Sequence, residues 1–572
     1  MFVSTIKKRL TFLSVIFLIS FIFMFLFFKE IFFSNNILID FAIHPFNICE
    51  KYPDLWKFVK ISYVLSYSVS ILIIFNLIYS VIFNKEKNTQ TTNQELLNNI
   101  NYNSDLKLLV GEDGNNNLVY LQEKGLYQNI LITGTIGSGK TSSAMYPFTK
   151  QLINYKSEDK KEKLGLLILD VKGNYHKQVK KYCSLYNREN DLMVLSLDGT
   201  IKYNPLDKPH LKAHVLANRL KTILTLFSSK TGEQYWLDKA EQILTECIKL
   251  CRLYNDGYVT FLELHKLITI PDYYASKISS LRNMFLSGKF SKEDCFNLLS
   301  SIEFFEKEFL KLDSRTMAIL KSEITRITGC FVSDYQIQKV FCPTKNEINF
   351  KGFRNLIAQG KILVLNMNLS EFKNLSKIIA AYLKLDFQTE VMSRLSYFKN
   401  NSFRSVAFIC DEFHEYVTST DADFFAQSRE AKCINIVTTQ SYTSLLNTLD
   451  NQNTTKAIIQ NLVNKLWFRT DDIFTIEDAQ KQLGKEEKTK ISKTISENAK
   501  TTNFNVITKK FNSLDSNLSE SINSYSQFDY IYDTNFFTQK LETFSALSFL
   551  STGNSIIPPQ KLKMIPYFKN IN

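Results

Sequence analysis

Residues 132–143, ITGTIGSGKTSS, restrict the fold of this chain more than any other stretch. The chain has 17 Gly in 572 residues, yet Gly134, Gly137 and Gly139 stand together directly before Lys140 and Thr141. They fit GxxxxGK[ST], a loop whose backbone N–H groups converge on phosphate oxygens as the chain enters a helix. Glycine is required because such a loop needs backbone angles that side chains oppose. An apolar run, Asn129–Thr133, precedes it as a strand should. The expectation is a nucleoside triphosphate site, with ATP and Mg²⁺ as cofactors. Gly134, Thr135, Gly137, Ser138, Gly139, Lys140, Thr141 and Ser142 would wrap the phosphates. Lys140 would reach the β- and γ-phosphates, and the Thr141 hydroxyl would face Mg²⁺.

Such a loop needs an acid at the end of a second strand. Ser405–Cys410 (SVAFIC) runs into Asp411 and Glu412, which suit a Mg²⁺ ligand acting through water and a residue that orients the attacking water. Ile434–Thr439 ends at Gln440, where a γ-phosphate sensor would stand. Leu164–Leu169 (LGLLIL), ending at Asp170, intervenes between loop and acids, and Lys361–Met367 (KILVLNM) is a further run. Continuous Val/Ile/Leu runs of this length suit strands buried on both faces of a parallel sheet. The fold class is therefore α/β, a RecA-like additional-strand P-loop ATPase domain, and the chain is expected to be an enzyme.

Around that domain the pattern changes several times. Leu10–Phe28 and Ile61–Phe83 carry no charge, and each is long enough to cross a hydrocarbon core of ~30 Å. The first is too long for a signal peptide and lacks a small-x-small site. Residues 1–83 thus read as a two-pass membrane anchor at about 10–28 and 61–83, with an extracytoplasmic loop between. Two crossings place everything after 83 in the cytoplasm, beneath the cell (inner) membrane. Residues 84–104 are a polar linker, and 105–205 are the first part of the ATPase domain. In 206–350 the period becomes helical: Leu216, Leu220, Ile223, Leu224 and Phe227 share one face, as do Ala240, Ile243, Leu244, Cys247, Ile248 and Cys251. This predicts an all-α insertion domain. Residues 351–485 return to the ATPase domain, 486–530 read as a polar flexible segment, and 531–572 as a closing strand (Leu541–Ser551) and tail.

The formal charge of +13, from 69 Lys+Arg against 56 Asp+Glu, suits a nucleic-acid or anionic-lipid partner, although a biased genome produces the same balance. The nine Cys are scattered without CxxC or zinc spacing, so neither a disulfide framework nor a metal cluster is indicated.

These motifs together resemble the coupling ATPases of type IV secretion and conjugation, the TraG/TraD-like (VirD-type) proteins. Two N-terminal membrane helices, a P-loop domain and a helical insertion are that family's plan. Pro147 follows Lys140 where many members have Pro; LDVKGNYHK (Asp170, Lys172, Gly173) resembles the family's DPKG stretch, with Val171 in place of Pro and Asn174 in place of the acid. YNPLD (Asn204, Pro205, Leu206) resembles a stretch the family has just before the insertion, and YWLDKA (Trp236, Asp238, Ala240) resembles the family's aromatic–Asp–Ala helix. The longest likeness is CDEFHEYVTSTDADFFAQSREAKCINIVTTQSYTSL. By this resemblance Arg429 is an arginine finger, Gln440 the sensor and Lys140 and Glu412 catalytic. It implies a homo-hexamer that passes DNA, single-stranded and carrying its relaxase, to type IV secretion channel components without reading base sequence. Two other readings stay open: a docking ATPase or scaffold for protein effectors, and an FtsK/HerA-like DNA pump. An ABC-type subunit is disfavoured because no LSGGQ-like signature precedes Asp411 and Glu412.

Overall fold

The computed structural model describes residues 105–170, 172–227, 234–367, 369–397, 403–497, 502–505, 510–513 and 518–570. The two expected membrane helices and the linker at 84–104 lie outside the described residues. Among the described residues no helix is long and apolar enough to cross a membrane.

The described residues form fifteen strands: β1 (Lys107–Glu112), β2 (Leu118–Gln122), β3 (Ile130–Thr133), β4 (Gly165–Leu169), β5 (Leu192–Leu195), β6 (Ile362–Leu365), β7 (Val406–Cys410) and β8 (Cys433–Thr439), followed by β9 (Asn464–Trp467), β10 (Lys485–Glu497), β11 (Thr502–Asn505), β12 (Lys510–Ser513), β13 (Leu518–Tyr530), β14 (Ser545–Ser551) and β15 (Ile556–Lys563). Eleven of them make one sheet in the order β2-β1-β15-β14-β9-β3-β8-β7-β4-β6-β5. From β9 to β5 every pairing is parallel, whereas β14, β15, β1 and β2 extend the sheet antiparallel. The apolar runs of the sequence are the central strands β3, β4, β6, β7 and β8.

The strand between the P-loop strand β3 and the acid-bearing β7 is β8. LGLLIL (β4) intervenes in sequence but lies on the far side of β7. A strand inserted between loop and acid is the additional-strand arrangement, and it is β8 that supplies it.

Both faces of the parallel part are covered, which is why its strands are apolar throughout. On one face Ile130, Ile132, Ala407 and Ile409 pack with the helices Tyr146–Asn154 and Tyr175–Leu185. On the other, Leu131, Val406, Phe408 and Cys410 join a core with the long helix Leu369–Tyr397 and the helices between β5 and β6. Those intervening helices run from Ala213–Leu224 to Tyr335–Phe341, with no strand among the described residues there. Leu216, Leu220, Ile223, Ala240, Ile243, Leu244, Cys247, Ile248 and Cys251 are all buried, as their helical spacing requires.

Asp386, fully buried on the long helix, ties this helical part to the sheet. It accepts from Tyr203 Oη at 2.9 Å, Arg219 Nη1 at 2.9 Å and Lys208 Nζ at 2.8 Å. Burial pushes its carboxyl up, but Lys208 and Arg219 outweigh that and hold it below the usual aspartate value.

Within 486–530, where a polar flexible segment is expected, β10 and β13 instead pair antiparallel over thirteen residues, from Lys485↔Tyr530 to Glu497↔Leu518. The sequence hides this hairpin because each strand alternates polar residues with few apolar ones. Directly paired residues share a face, so Ile491, Ile495, Ile522 and Phe528 stand on one side, all exposed.

Candidate nucleotide site

The loop after β3 takes backbone angles that only glycine adopts readily. Gly134 has φ 154° and Gly139 φ 101°. Their surroundings are as restrictive: a Cβ on Gly139 would lie 2.6 Å from the Phe544 ring, and one on Gly134 2.6 Å from Phe468 Cβ. Neighbouring strands hold the loop. Gly134 N donates to Gln440 O at 3.3 Å, Thr135 N to Arg469 O at 2.8 Å, and Phe544 N to Ser138 O at 3.1 Å. Lys140 donates to the carbonyls of Gly134 and, at 3.1 Å, Thr135. Its ammonium is buried, and that burial lowers its pKa against the attraction of Glu412 and Asp411.

The loop passes into a wide helical turn, Thr141–Met145, and then the helix Tyr146–Asn154. Pro147 in the first turn of that helix has no N–H to return to an earlier carbonyl, which accounts for the wide turn before it.

Asp411 ends β7 directly across from this turn. Its Oδ2 accepts from Thr141 Oγ1 at 3.1 Å; its Oδ1 accepts from Thr438 Oγ1 at 2.5 Å and from Glu412 N at 3.1 Å. Glu412 is held in the left-handed region at φ 50°, which re-aims its side chain out of the strand. Its Oε2 is buried without a hydrogen-bond partner, while His414 Nδ1 lies 3.6 Å away. Burial and the Asp411 charge raise the Glu412 pKa, while Lys140, Lys172 and a hydrogen bond from Gln440 oppose the rise. A buried carboxyl with one oxygen left over, facing a buried Lys, fits a group that receives a polar ligand.

The loop after Glu412 is fixed from below. Lys384 of the long helix, fully buried, pairs with Asp421 and donates to Tyr416 O at 2.7 Å and Thr418 Oγ1 at 3.0 Å. Asp170 at the end of β4 has a related structural task. Its carboxylate accepts from the backbone N–H groups of Lys172, Asn174 and Tyr175, at 3.0–3.1 Å, and so starts the helix Tyr175–Leu185. That is the role its altered motif left open.

A cavity of about 440 Å³ joins these parts. Thr135, Gly137, Gly139, Lys140, Thr141, Ser142, Asp411, Glu412 and Gln440 line it, together with Lys172, Asn174, Tyr146 and Tyr567. Gly134 and Ser138 lie behind the lining, in the loop's hydrogen bonds. Sequence reasoning missed Thr438, which reads as one more β-branched strand residue, and Tyr567, which lies in a Pro-bearing tail with no motif. The structure does not bring Arg429 to the cavity. It is exposed in the turn before β8, whose other end carries Gln440, so a whole strand of about 20 Å separates them.

The donor set fits a Mg²⁺–nucleotide: a phosphate loop with a buried Lys, and a hydroxyl and a carboxylate in contact that would hold the ion. Residues 405–523 match a family model described as the TraM recognition site of TraD and TraG. None of the curated proteins matches the chain in sequence. Among solved structures it is similar to the unbound bacterial conjugative coupling protein TrwBdeltaN70, with TM-score 0.53 at 12% identity, covering 80% of this chain and 88% of that one. It is also similar to plasmid coupling protein TrwB with the GTP analogue GDPNP (TM-score 0.52, 12% identity, 80% and 89% covered). The same protein with ADP and Mg²⁺ matches at TM-score 0.51 and 12% identity over 77% and 86%. At this identity the likeness to solved structures concerns the fold.

Proposed function

We propose that the chain is a coupling protein of the TraG/TraD type, a membrane-anchored ATPase that moves DNA toward a secretion channel. The observation that carries this reading is the convergence of Lys140, Thr141, Asp411 and Glu412 on one cavity, with Thr141 and Asp411 in contact.

In this reading the loop amides and Lys140 hold the triphosphate, and Thr141 and Asp411 hold Mg²⁺. When bound, that ion neutralises phosphate charge and makes the terminal phosphate easier to attack. Glu412, with its unpartnered oxygen, orients the attacking water, and Gln440 reports the terminal phosphate to the loop through its backbone link to Gly134. Arg429 lies too far from its own chain's cavity, so it would serve a neighbour's site, and a ring (a hexamer by resemblance) follows. The cargo would be single-stranded DNA with its relaxase, held by backbone charge. A relaxosome component is the partner that the family description of residues 405–523 suggests. The apolar stretches at 10–28 and 61–83 would anchor the ring beneath the inner membrane, at the channel.

The test is ATP turnover by the full-length, detergent-solubilised chain, with and without single-stranded DNA. Slow turnover, raised by DNA and lost in Lys140→Ala, is expected. Undiminished turnover in Lys140→Ala would sink the ATPase assignment. Absence of DNA binding at low salt, where phosphate contacts are strongest, would turn the reading to protein cargo.

A further inference from the structure

The last described residues fold back onto the phosphate loop. After β15, Met564 N donates to Phe544 O at 2.8 Å, and the short helical turn Tyr567–Asn570 follows. Phe544 is the residue whose ring blocks any side chain at Gly139 and whose N–H donates to Ser138 O. Phe568 packs edge-on against Phe544 with ring centroids 5.7 Å apart. Through Phe544, then, this segment is built onto the backbone that would hold phosphates.

Tyr567 is the member of the segment that lines the cavity. It is half-buried, and its ring stands at 88° to that of Tyr146, with centroids 5.1 Å apart. Tyr146 is in turn held edge-on by the buried Tyr175 at 4.7 Å. Tyr146 lies one helical turn beyond Ser142, past the end of the phosphate loop, and Tyr567 lines the cavity beside it. Lys172 and Asn174 also line the cavity. A nucleoside needs a flat, apolar wall at such a place, and a fixed phenol ring supplies one, because every base offers a π face.

We propose that Tyr567 is the nucleobase-contacting residue of this site, stacking on the base of the bound nucleotide. The inference rests on the nucleotide reading above. It separates the two ends of the ligand: Lys140 and the loop amides hold phosphates, and Tyr567 holds the nucleoside.

The experiment measures, by calorimetry on the full-length chain, the affinities of Mg-ATP and of Mg-tripolyphosphate, which has phosphates but no base. Tyr567→Ala should raise the Kd for ATP about tenfold and leave that for tripolyphosphate unchanged, since base–aromatic stacking is typically worth that much. Tyr567→Phe keeps the ring and should bind ATP as the unaltered chain does. Equal weakening of both ligands by Tyr567→Ala would show that the ring merely supports the loop and would overturn the proposal. So would unaltered ATP affinity, or failure of Tyr567→Phe to restore it. If the unaltered chain binds neither ligand, and Lys140→Ala changes nothing, the nucleotide reading itself falls; if only the Tyr567 variants disagree, this inference falls alone.

Discussion

Thr141 Oγ1 donates to Asp411 Oδ2 over 3.1 Å, so the first turn of the P-loop helix and the end of β7 touch across the position that β8 occupies in the sheet. Thr438 on β8 donates to the other oxygen of the same carboxylate at 2.5 Å, so three elements fix one side chain. Asp411→Asn keeps that shape and removes the charge. It should raise the Mg²⁺ concentration needed for half-maximal turnover by about 10–100-fold, the cost typical of losing a group that supports a bound metal. Titrating Mg²⁺ at saturating ATP checks this, and an unshifted requirement would remove Asp411 from the metal's surroundings.

Glu412→Gln should leave ATP affinity intact and lower kcat by roughly 10²–10⁴-fold, as expected for loss of a group that positions and deprotonates water. The Glu412 pKa is raised above the ordinary 4.5 by burial and by Asp411. A raised carboxyl loses its charge at higher pH than an exposed glutamate as the solution is acidified. The acid limb of kcat/KM should therefore lie above pH 4.5, and it should vanish from the residual rate of Glu412→Gln. An acid limb that survives the substitution belongs to another group.

Much of this site is legible in the sequence because burial on both faces leaves β3, β7 and β8 as short apolar runs, each ending at a residue of the candidate site. Thr133 before Gly134, Cys410 before Asp411 and Thr439 before Gln440 all follow that rule. Local sequence is silent where contact depends on the path of the chain. Tyr567 reaches the cavity only because β14 returns beside β9 and β15 beside β14, and nothing around it in sequence marks a ligand. Thr438 holds the Asp411 carboxylate from a strand where any β-branched residue would fit. Nor could Asp170 be read, since its function is to collect three N–H groups of a turn whose conformation the sequence does not declare. The β10–β13 hairpin was obscured by its solvated face, which carries the charge and polarity of a loop.

Asp386 should be the residue whose loss most loosens the helical part from the sheet. Asp386→Ala leaves Lys208 and Arg219 as buried charges without their partner. Breaking such a cluster from one side typically costs about 3–5 kcal/mol. Denaturant unfolding of the variant should show that loss. A cost no larger than that of an exposed substitution would mean the three groups are solvated in solution.

Lys465 offers a test of stability against pH. It is buried on β9 opposite Phe549, and burial lowers its pKa to about 8 from 10.5, against the attraction of Asp478. The unfolded chain thus binds more protons than the folded one between those two pKa values, so this group makes stability rise with pH across that window. Below pH 8 the penalty is fully present, on the order of 3 kcal/mol. Lys465→Met removes it and should raise Tm at pH 7, with an advantage that shrinks as pH approaches 10.5. An advantage independent of pH would trace to packing instead.

Arg429 is separated from its own chain's Gln440 by the length of β8 and is exposed, so any catalytic role requires a second copy. Arg429→Ala should bind ATP normally and lose turnover by about 10³–10⁵-fold, the usual worth of an arginine finger acting in trans. Lys140→Ala should also be inactive, for the different reason that its own loop cannot hold the phosphates. In the ring proposed above, mixing the two inactive chains would bring an intact loop of an Arg429→Ala chain against an intact Arg429 of a Lys140→Ala neighbour. Part of the turnover should return, and should depend on the mixing ratio. If the mixture stays as inactive as its components while still assembling, Arg429 does not reach across the interface. If Arg429→Ala alone is fully active, it is a surface residue and the finger must be sought elsewhere.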